Sequence, residues 1–320
     1  MFFFCKSLLV LTTDRSRKTG YIWRCSNRNC RKTKVGEVFG SWFDRSKLDI
    51  GTILLITYLW ASGNVENNFI REQLGLSNQT VVDWGSYCRE VCFSLLDNTT
   101  YSQIGGEGVV VEIDESKFGK RKFHRGKRVD GVWVFGGCER GNSGNSFFEV
   151  VENRTQETLE RLIVKYIRKG SIIYSDCWKG YQTSKLEELG YSHGTVNHSN
   201  YFKDPHTGIH TNTIESTWHH LKHFKHHRQS KEQKVGYFSE FIFRRKFLRF
   251  DSESSSSSRS SGGSCSGLDR FSIFLREGVN KVYNKERAIL ELAKKYQGGG
   301  IKKPLPVESH TDERQAKIKK

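Results

Sequence analysis

Apolar residues recur at helical spacing over residues 46–97. Ser46 can cap a helix whose apolar positions run from Leu48 to Leu59. Gly63 follows the last apolar turn and can end that helix in a left-handed conformation. The pattern therefore predicts a helical region that begins after the first 45 residues.

Two shorter helices joined by a glycine are predicted next. Ile70 and Leu74 lie on one face of the first helix, and Gly75 supplies the turn. Ser77 can cap the second helix. This is the helix-turn-helix pattern, whose second helix can enter the major groove of DNA, although a plain helical hairpin fits the same pattern. The candidate DNA contacts on the second helix are Asn78, Gln79, Asp83 and Arg89.

From residue 106 the hydrophobic pattern changes from helical to extended. The predicted strands are residues 109–114, 131–140, 145–153, 171–176 and a short run near 195–198. The predicted helices are residues 154–169, 181–189 and a long helix from 212. Three strands, a helix, a strand and further helices predict an α/β domain with a mixed sheet flanked by helices.

Charge adds a class of partner to this picture. The 320 residues include 52 Lys and Arg against 35 Asp and Glu, a formal net charge of +17. This excess favours a protein that binds a polyanion, above all nucleic acid. The alternative is a basic protein with no such partner. Eight cysteines without a dense framework indicate reduced thiols and an intracellular protein. The sequence contains no run of about 18 apolar residues, so no membrane span is predicted.

Three carboxylates are the candidate chemistry. Asp114 and Asp176 each end a predicted strand, where ligands collect in α/β sheets. Glu215 lies at the edge of the apolar face of the predicted helix from 212. Each alone has an ordinary alternative, a turn cap for the aspartates and a solvated surface position for the glutamate. Together they form the oxygen-rich set that hard divalent cations such as Mg²⁺ require.

Basic residues flank the same carboxylates. The segment after Asp114, residues 116–129, contains seven Lys and Arg and no acidic residue. Such runs are often solvated loops, yet two of them beside one candidate site favour a phosphate substrate. The candidate contacts to the DNA backbone are Lys117, Lys120, Arg121, Lys122, Arg125 and, after Glu215, Lys222.

Four motifs resemble those of a known family. VEIDESKFGKRKFHRG, VWVFGGCER, IIYSDCWKGY and HTNTIESTWHHLK are similar to the catalytic domain of Merlin-type DDE transposases and their ISXO-like bacterial relatives. The resemblance covers about residues 20–230. It implies an RNase H-like fold, with Asp114, Asp176 and Glu215 as a catalytic triad that holds two Mg²⁺ or Mn²⁺ ions. His210 and Asn212 match the stretch before the acidic residue, where they are expected to shape the site, with Asn212 contacting DNA.

Members of this family cleave transposon ends and join the 3′-hydroxyl to target DNA. The resemblance thus implies double-stranded DNA as partner, a homo-oligomer when active, and a polynucleotidyl transferase reaction. The alternative is a catalytically silent, transposase-derived DNA-binding protein. The expected location is the nucleus in a eukaryote, otherwise the cytoplasm or nucleoid.

The N-terminus departs from the family pattern. Relatives commonly carry a zinc ribbon with two cysteine pairs, and here Cys25 and Cys30 match only the second pair. Because a structural Zn²⁺ normally takes four ligands, these two thiols leave Zn²⁺ binding and loss of the site as alternatives.

The expected organisation combines these observations. The regions are residues 1–45, a degenerate zinc-ribbon remnant; 46–100, a helix-turn-helix-like DNA-binding region; 106–230, the RNase H-like catalytic domain; 231–250, a basic aromatic extension; 251–267, a serine-rich linker; and 268–320, a helical or disordered basic tail. The linker is too polar to form a core, and no chemistry is assigned to the tail.

Overall fold

The structure of the protein is a computed structural model. It describes residues 3–4, 7–17, 20–27, 34–36, 38–44, 46–63, 66–97, 103–119, 131–177, 181–197, 204–224, 231–248 and 266–283. The chain divides into two compact units, one formed by Met1–Lys47 with Tyr283–Lys320 and the other by Leu48–Val282. No helix in the described part of the chain is long and apolar enough to cross a membrane.

The smaller unit contains an antiparallel sheet. Its described strands, in spatial order, are β1 (Phe3–Phe4), β2 (Ser7–Thr13), β3 (Tyr21–Cys25) and β4 (Lys34–Gly36). Leu9 and Ile22 are buried in this unit. Cys25 is the last residue of β3, whereas Cys30 lies outside the described residues, so Zn²⁺ binding here stays a prediction.

The larger unit begins with three helices. They are α1 (Ile50–Ser62), α2 (Asn67–Leu74) and α3 (Asn78–Leu96). Ser46 does not cap α1 as predicted, because Asp49 takes that position and accepts a hydrogen bond from the backbone N–H of Thr52 at 2.9 Å. The predicted caps at Gly63 and Ser77 are confirmed, the latter by a 3.1 Å hydrogen bond from the backbone N–H of Thr80.

A mixed sheet forms the centre of the larger unit. Its described strands are β6 (Val110–Phe118), β7 (Val132–Glu139), β8 (Asn142–Val151), β10 (Ile172–Asp176) and β11 (Ser192–Val196). They lie in the order β11-β10-β6-β7-β8, with β6, β10 and β11 parallel and β7 antiparallel to both of its neighbours. β6, the first strand of this sheet in chain order, lies at its centre, and β7 is the one reversed strand among those described. This arrangement is RNase H-like, which confirms the predicted fold class.

Helices cover both faces of this sheet. The helices are α4 (Gln156–Tyr166), α5 (Thr183–Glu188), α6 (Asn212–His223) and α7 (Lys231–Phe247). Leu159 and Leu186 bring α4 and α5 into the core on one face. Ile214 and Phe238 bring α6 and α7 into the core on the other face. Since side chains alternate along a strand, consecutive side chains of β6 face these two cores in turn.

Two predicted boundaries shift because of long-range contacts. The helix predicted to reach residue 169 ends at Tyr166, because Ile167 is extended and starts β9 (Ile167–Arg168), which pairs with β5 (Ile104–Gly105). The segment 231–250, predicted as a basic aromatic extension, contains α7 instead, which contacts both β8 and α3. This helix thereby joins the helical region to the sheet.

The chain also returns to the larger unit after the serine-rich tract. Residues 251–265 lie outside the described residues, and then come α8 (Gly267–Ile273), a π-helical turn (Phe274–Val279) and α9 (Asn280–Val282). The side chain of Phe274 is 0% exposed and lies with its ring centroid 5.0 Å from that of Trp60 in α1. This part of the predicted tail therefore belongs to the hydrophobic core, and residues 284–320 lie outside the described residues.

Candidate active site

Two of the three candidate carboxylates lie on neighbouring strands. Asp114 is in β6 and Asp176 is the last residue of β10. The two strands pair in parallel, with Tyr174 opposite Glu112. This is the last pair between the two strands, and Asp114 and Asp176 each lie two residues beyond it. The topology thus brings together two acidic residues that are far apart in the sequence.

An indole ring holds the carboxylate of Asp114 in place. Trp218 of α6 is 4% exposed, and its Nε1–H donates a hydrogen bond to Oδ2 of Asp114 at 2.9 Å. Gly136, the β7 partner of Asp114, allows this approach. A Cβ atom at Gly136 would lie 2.6 Å from the Trp218 ring and 2.7 Å from that of Phe148. The glycine therefore lets the indole lie directly against the sheet beside Asp114.

Negative charge accumulates around Asp114. Burial, the charge of Asp176 and, more weakly, the charge of Glu215 together raise the pKa of Asp114 to about 6. The hydrogen bonds from the backbone N–H of Glu115 and from Trp218 act in the opposite direction. Since these repulsions need proximity, the three predicted site residues share one electrostatic environment.

Glu215 lies at the rim of this group. Its helix buries Ile214, Trp218 and Leu221, whereas Glu215 itself is exposed. Within the described ranges, no group of three or more His, Cys, Asp or Glu side chains is arranged to hold a metal ion. The fold thus brings Asp114 and Asp176 together and leaves Glu215 close enough to influence Asp114 through its charge.

Glu115, the acidic residue next to Asp114, was not predicted as a site residue from the sequence. Burial and, after it, the charges of Asp114 and Asp176 raise the pKa of Glu115 to about 7. The hydroxyl of Tyr181 donates a hydrogen bond to Glu115, and the guanidinium of Arg154 lies 3.8 Å from it. The sequence contained a signal, since residues 112–115 include three acidic residues directly after the apolar run of residues 109–111.

Two predicted DNA contacts border the acidic residues. Nζ of Lys117 lies 5.5 Å from the ring centroid of Trp133, and Nζ of Lys222 lies 5.6 Å from that of Phe118. Partial burial lowers the pKa of Lys222, while the charge of Asp114 acts in the opposite direction. Lys222 is therefore near the carboxylates. The predicted contacts Lys120, Arg121, Lys122 and Arg125 lie outside the described residues.

The remaining predicted contacts have different surroundings. Asn78 and Gln79 are exposed at the start of α3, and Asn212 is exposed at the start of α6. The side chain of Arg89 is only 15% exposed, pairs with Glu240 of α7 at 3.6 Å and stacks on Tyr237. Arg89 therefore contacts α7 in the interior, and the other three stay predicted DNA contacts.

Sequence comparison identifies the region that contains these residues. Residues 103–246 match the model of a family described as the ISXO2-like transposase domain. A segment of 73 residues, 23% of the chain, is 34% identical to an uncharacterized transposase-like protein of Haemophilus influenzae. The chain covers 56% of that curated relative's length. The resemblance to ISXO-like transposases is therefore confirmed.

Solved structures of the Mos1 transposase are more distant. The catalytic domain of the Mos1 mariner transposase has 10% identity and a TM-score of 0.31, over 64% of this chain and 90% of that chain. A Mos1 paired-end complex with the left transposon end has 11% identity and a TM-score of 0.28, over 76% of this chain and 79% of that chain.

Proposed function

From the ISXO2-like transposase domain at residues 103–246, we propose that the protein is a DDE transposase that cleaves DNA and joins the 3′-hydroxyl to target DNA. The observation that carries this proposal is the placement of Asp114 and Asp176 on neighbouring strands, with the charge of Glu215 reaching Asp114. Acidic residues that repel one another are a poor way to stabilise a fold, and they are expected where a cation binds.

The donor atoms suit Mg²⁺ or Mn²⁺ as cofactor. Asp114, Asp176 and Glu215 offer carboxylate oxygens, which hard divalent cations prefer. The raised pKa of Asp114 supports the same proposal, because a bound cation would offset the repulsion that causes part of the rise. When bound, two such ions would activate the attacking oxygen and stabilise the leaving oxygen of the phosphodiester.

Other residues of the chain have supporting tasks in this proposal. The indole of Trp218 orients the carboxylate of Asp114 through its Nε1–H donor. Lys222 is placed to neutralise a phosphate of a DNA strand that approaches Asp114. The basic segment 120–129 would extend these contacts along the backbone, which is expected to make binding strongly dependent on salt.

A catalytically silent DNA-binding protein is the second candidate. The observation that favours it is the position of Glu215, which is exposed and does not complete a metal cluster within the described part of the chain. In that case Asn78 and Gln79 at the start of α3 would carry the remaining function of the chain.

Strand cleavage and joining in Mg²⁺ or Mn²⁺ separates the two candidates. The substrate is a supercoiled plasmid carrying the terminal repeats of the chain's own element. We expect Asp176→Asn to abolish nicking and joined products while DNA binding persists. Asp204→Asn is the matched control, because Asp204 caps an exposed turn through the backbone N–H groups of His206 and Thr207. If Asp176→Asn cleaves like the unmodified protein, the silent DNA-binding protein is the better assignment.

A further inference from the structure

A second acidic residue of β6 binds the start of α6. Glu112 is 0% exposed, and its carboxylate accepts hydrogen bonds from the backbone N–H of Thr213 (2.8 Å) and of Ile214 (3.1 Å). It also accepts a hydrogen bond from the Thr213 hydroxyl at 2.9 Å. These partners lie about a hundred residues away in the sequence. Glu112 therefore fixes one end of α6 to the central strand of the sheet.

The chemistry of helix ends explains why a carboxylate suits this position. The first backbone N–H groups of a helix have no partner within the helix, and the helix dipole places partial positive charge there. Asn212 is the first residue of α6, so Thr213 and Ile214 carry two of these groups. Glu112 fills the place that a local N-cap side chain takes in most helices.

An arginine neutralises this buried carboxylate and extends the contact. Nε of Arg140 lies 2.9 Å from Oε1 of Glu112, and its NH2 group donates a hydrogen bond to the backbone oxygen of His210 at 2.6 Å. The guanidinium also stacks on Tyr174 of β10, 4.8 Å from the ring centroid. The pair of Glu112 and Arg140 thus connects β6 and β10 with the segment that leads into α6.

This arrangement bears on the distance between the acidic residues of the site. Asp114 lies two residues beyond Glu112 on the same strand, and Glu215 is the fourth residue of α6. A shift of the helix start relative to β6 would therefore move Glu215 relative to Asp114. The oxygens of Glu112 are already engaged by Arg140, Thr213 and Ile214, so it is not placed to act as a further metal ligand.

We propose that Glu112 is a positioning residue, which caps α6 from the sheet and thereby sets the place of Glu215 opposite Asp114. This inference rests on the proposed function, because it concerns the geometry of the same carboxylates. It predicts that the loss of the Glu112 charge weakens metal binding at a site that Glu112 does not touch. Changes in groups that support metal ligands typically cost ten- to a hundred-fold in affinity or activity.

The test compares two buried glutamates with the same substitution. Glu112→Gln removes the cap, and Glu240→Gln removes a buried ion pair with Arg244 in α7. The measurements are thermal unfolding, Mn²⁺ affinity by calorimetry, and kcat and KM for Mn²⁺-dependent nicking of the plasmid. We expect both variants to unfold at lower temperature, and only Glu112→Gln to lose roughly ten-fold or more in Mn²⁺ affinity and kcat, with little change in KM.

A milder variant keeps the test decisive if Glu112→Gln does not fold. Thr213→Val removes only the hydroxyl contact to Glu112 and keeps the side-chain shape, so it should weaken Mn²⁺ binding about two- to five-fold. If the folded Glu112→Gln, or Thr213→Val in its place, matches Glu240→Gln in Mn²⁺ affinity and kcat, Glu112 has only a structural role. If Asp114→Asn also binds Mn²⁺ and nicks DNA like the unmodified protein, the proposed function itself is wrong.

Discussion

Glu240 in α7 and Asp114 in β6 are both acidic side chains withdrawn from water, and their surroundings differ. Glu240 is 6% exposed and pairs with Arg244 at 2.8 Å and with Arg89 at 3.6 Å. Arg244 also donates hydrogen bonds to the backbone oxygens of Trp60 and Ala61 at the end of α1. Around Asp114, by contrast, burial and the charges of Asp176 and Glu215 raise the pKa of its carboxyl group.

The difference separates a carboxylate that supports the fold from one that is available for chemistry. A buried charge is costly unless it is paired and hydrogen-bonded, and Glu240 meets both conditions. Asp114 keeps an indole donor but lies among other acids, so its ionised form is stabilised most by a cation from outside the chain. Glu240 therefore helps to hold the helices together, whereas Asp114 is the carboxylate for which we propose a cation.

The largest expected effect is on catalysis. Asp114→Asn removes the carboxylate at the centre of the site, which would cost several kcal/mol of transition-state stabilisation, about a thousand-fold in rate. Glu240→Gln should leave the rate of Mn²⁺-dependent plasmid nicking within about two-fold in protein that is folded. Equal losses in the two variants would remove the distinction between the two regions.

The next effect is on stability. Glu240→Ala leaves the guanidinium groups of Arg89 and Arg244 without their shared carboxylate, so we expect a loss of about 3 kcal/mol in the free energy of unfolding. Chemical denaturation measures this loss, and Mn²⁺ affinity should stay unchanged. A loss below about 0.5 kcal/mol would show that the cluster contributes no more than an exposed ion pair.

The raised pKa of Asp114 should make the stability of the protein depend on pH. Burial and neighbouring acids raise the pKa of Asp114 from 3.8 to about 6, so between these values the folded protein binds more protons than the unfolded chain. The free energy of unfolding of the metal-free protein should therefore decrease as the pH rises from about 4 to about 6, with Asp114 contributing about 2 kcal/mol. Asp114→Asn should flatten this slope, and an unchanged slope would contradict the assigned environment.

The smallest effect concerns the indole donor. Trp218→Phe keeps an aromatic ring against Gly136 but removes the hydrogen bond to Asp114, at a cost of about 1 kcal/mol. The pKa of Asp114 should then rise further, and Mn²⁺ affinity near pH 6 should fall about five-fold. Mn²⁺ titrations at pH 6 and pH 8 check this, because the deficit should shrink once Asp114 is ionised in both proteins.

Local patterns were sufficient for much of this fold. The caps at Gly63 and Ser77 and the strand that ends at Asp176 follow from neighbouring residues. The strand predicted to end at Asp114 instead continues to Phe118, because it stays paired with β7. The order of the central strands agrees with the resemblance to a known family. The two aspartates lie on the paired parallel strands β6 and β10, Asp114 within β6 and Asp176 at the end of β10.

Partners distant in the sequence were not predictable in this way. The carboxylate of Glu112 caps a helix about a hundred residues away, and periodicity carries no information on such a pairing. Phe274 follows a polar serine-rich tract, which gives no sign that the chain returns to pack against Trp60. Arg89 was assigned to DNA from its place on α3, although its partner Glu240 lies on a helix that the sequence did not indicate.

Mn²⁺ binding to the unmodified protein and to Asp114→Asn tests the central claim most directly. At a pH near 7.5, above the pKa of about 6 of Asp114, the unmodified protein should show saturable binding by calorimetry, and Mn²⁺ should raise its unfolding temperature. Asp114→Asn should lose at least about ten-fold in affinity, while Glu240→Gln keeps it. Equal Mn²⁺ affinity in all three proteins would contradict the proposed divalent-cation site at Asp114.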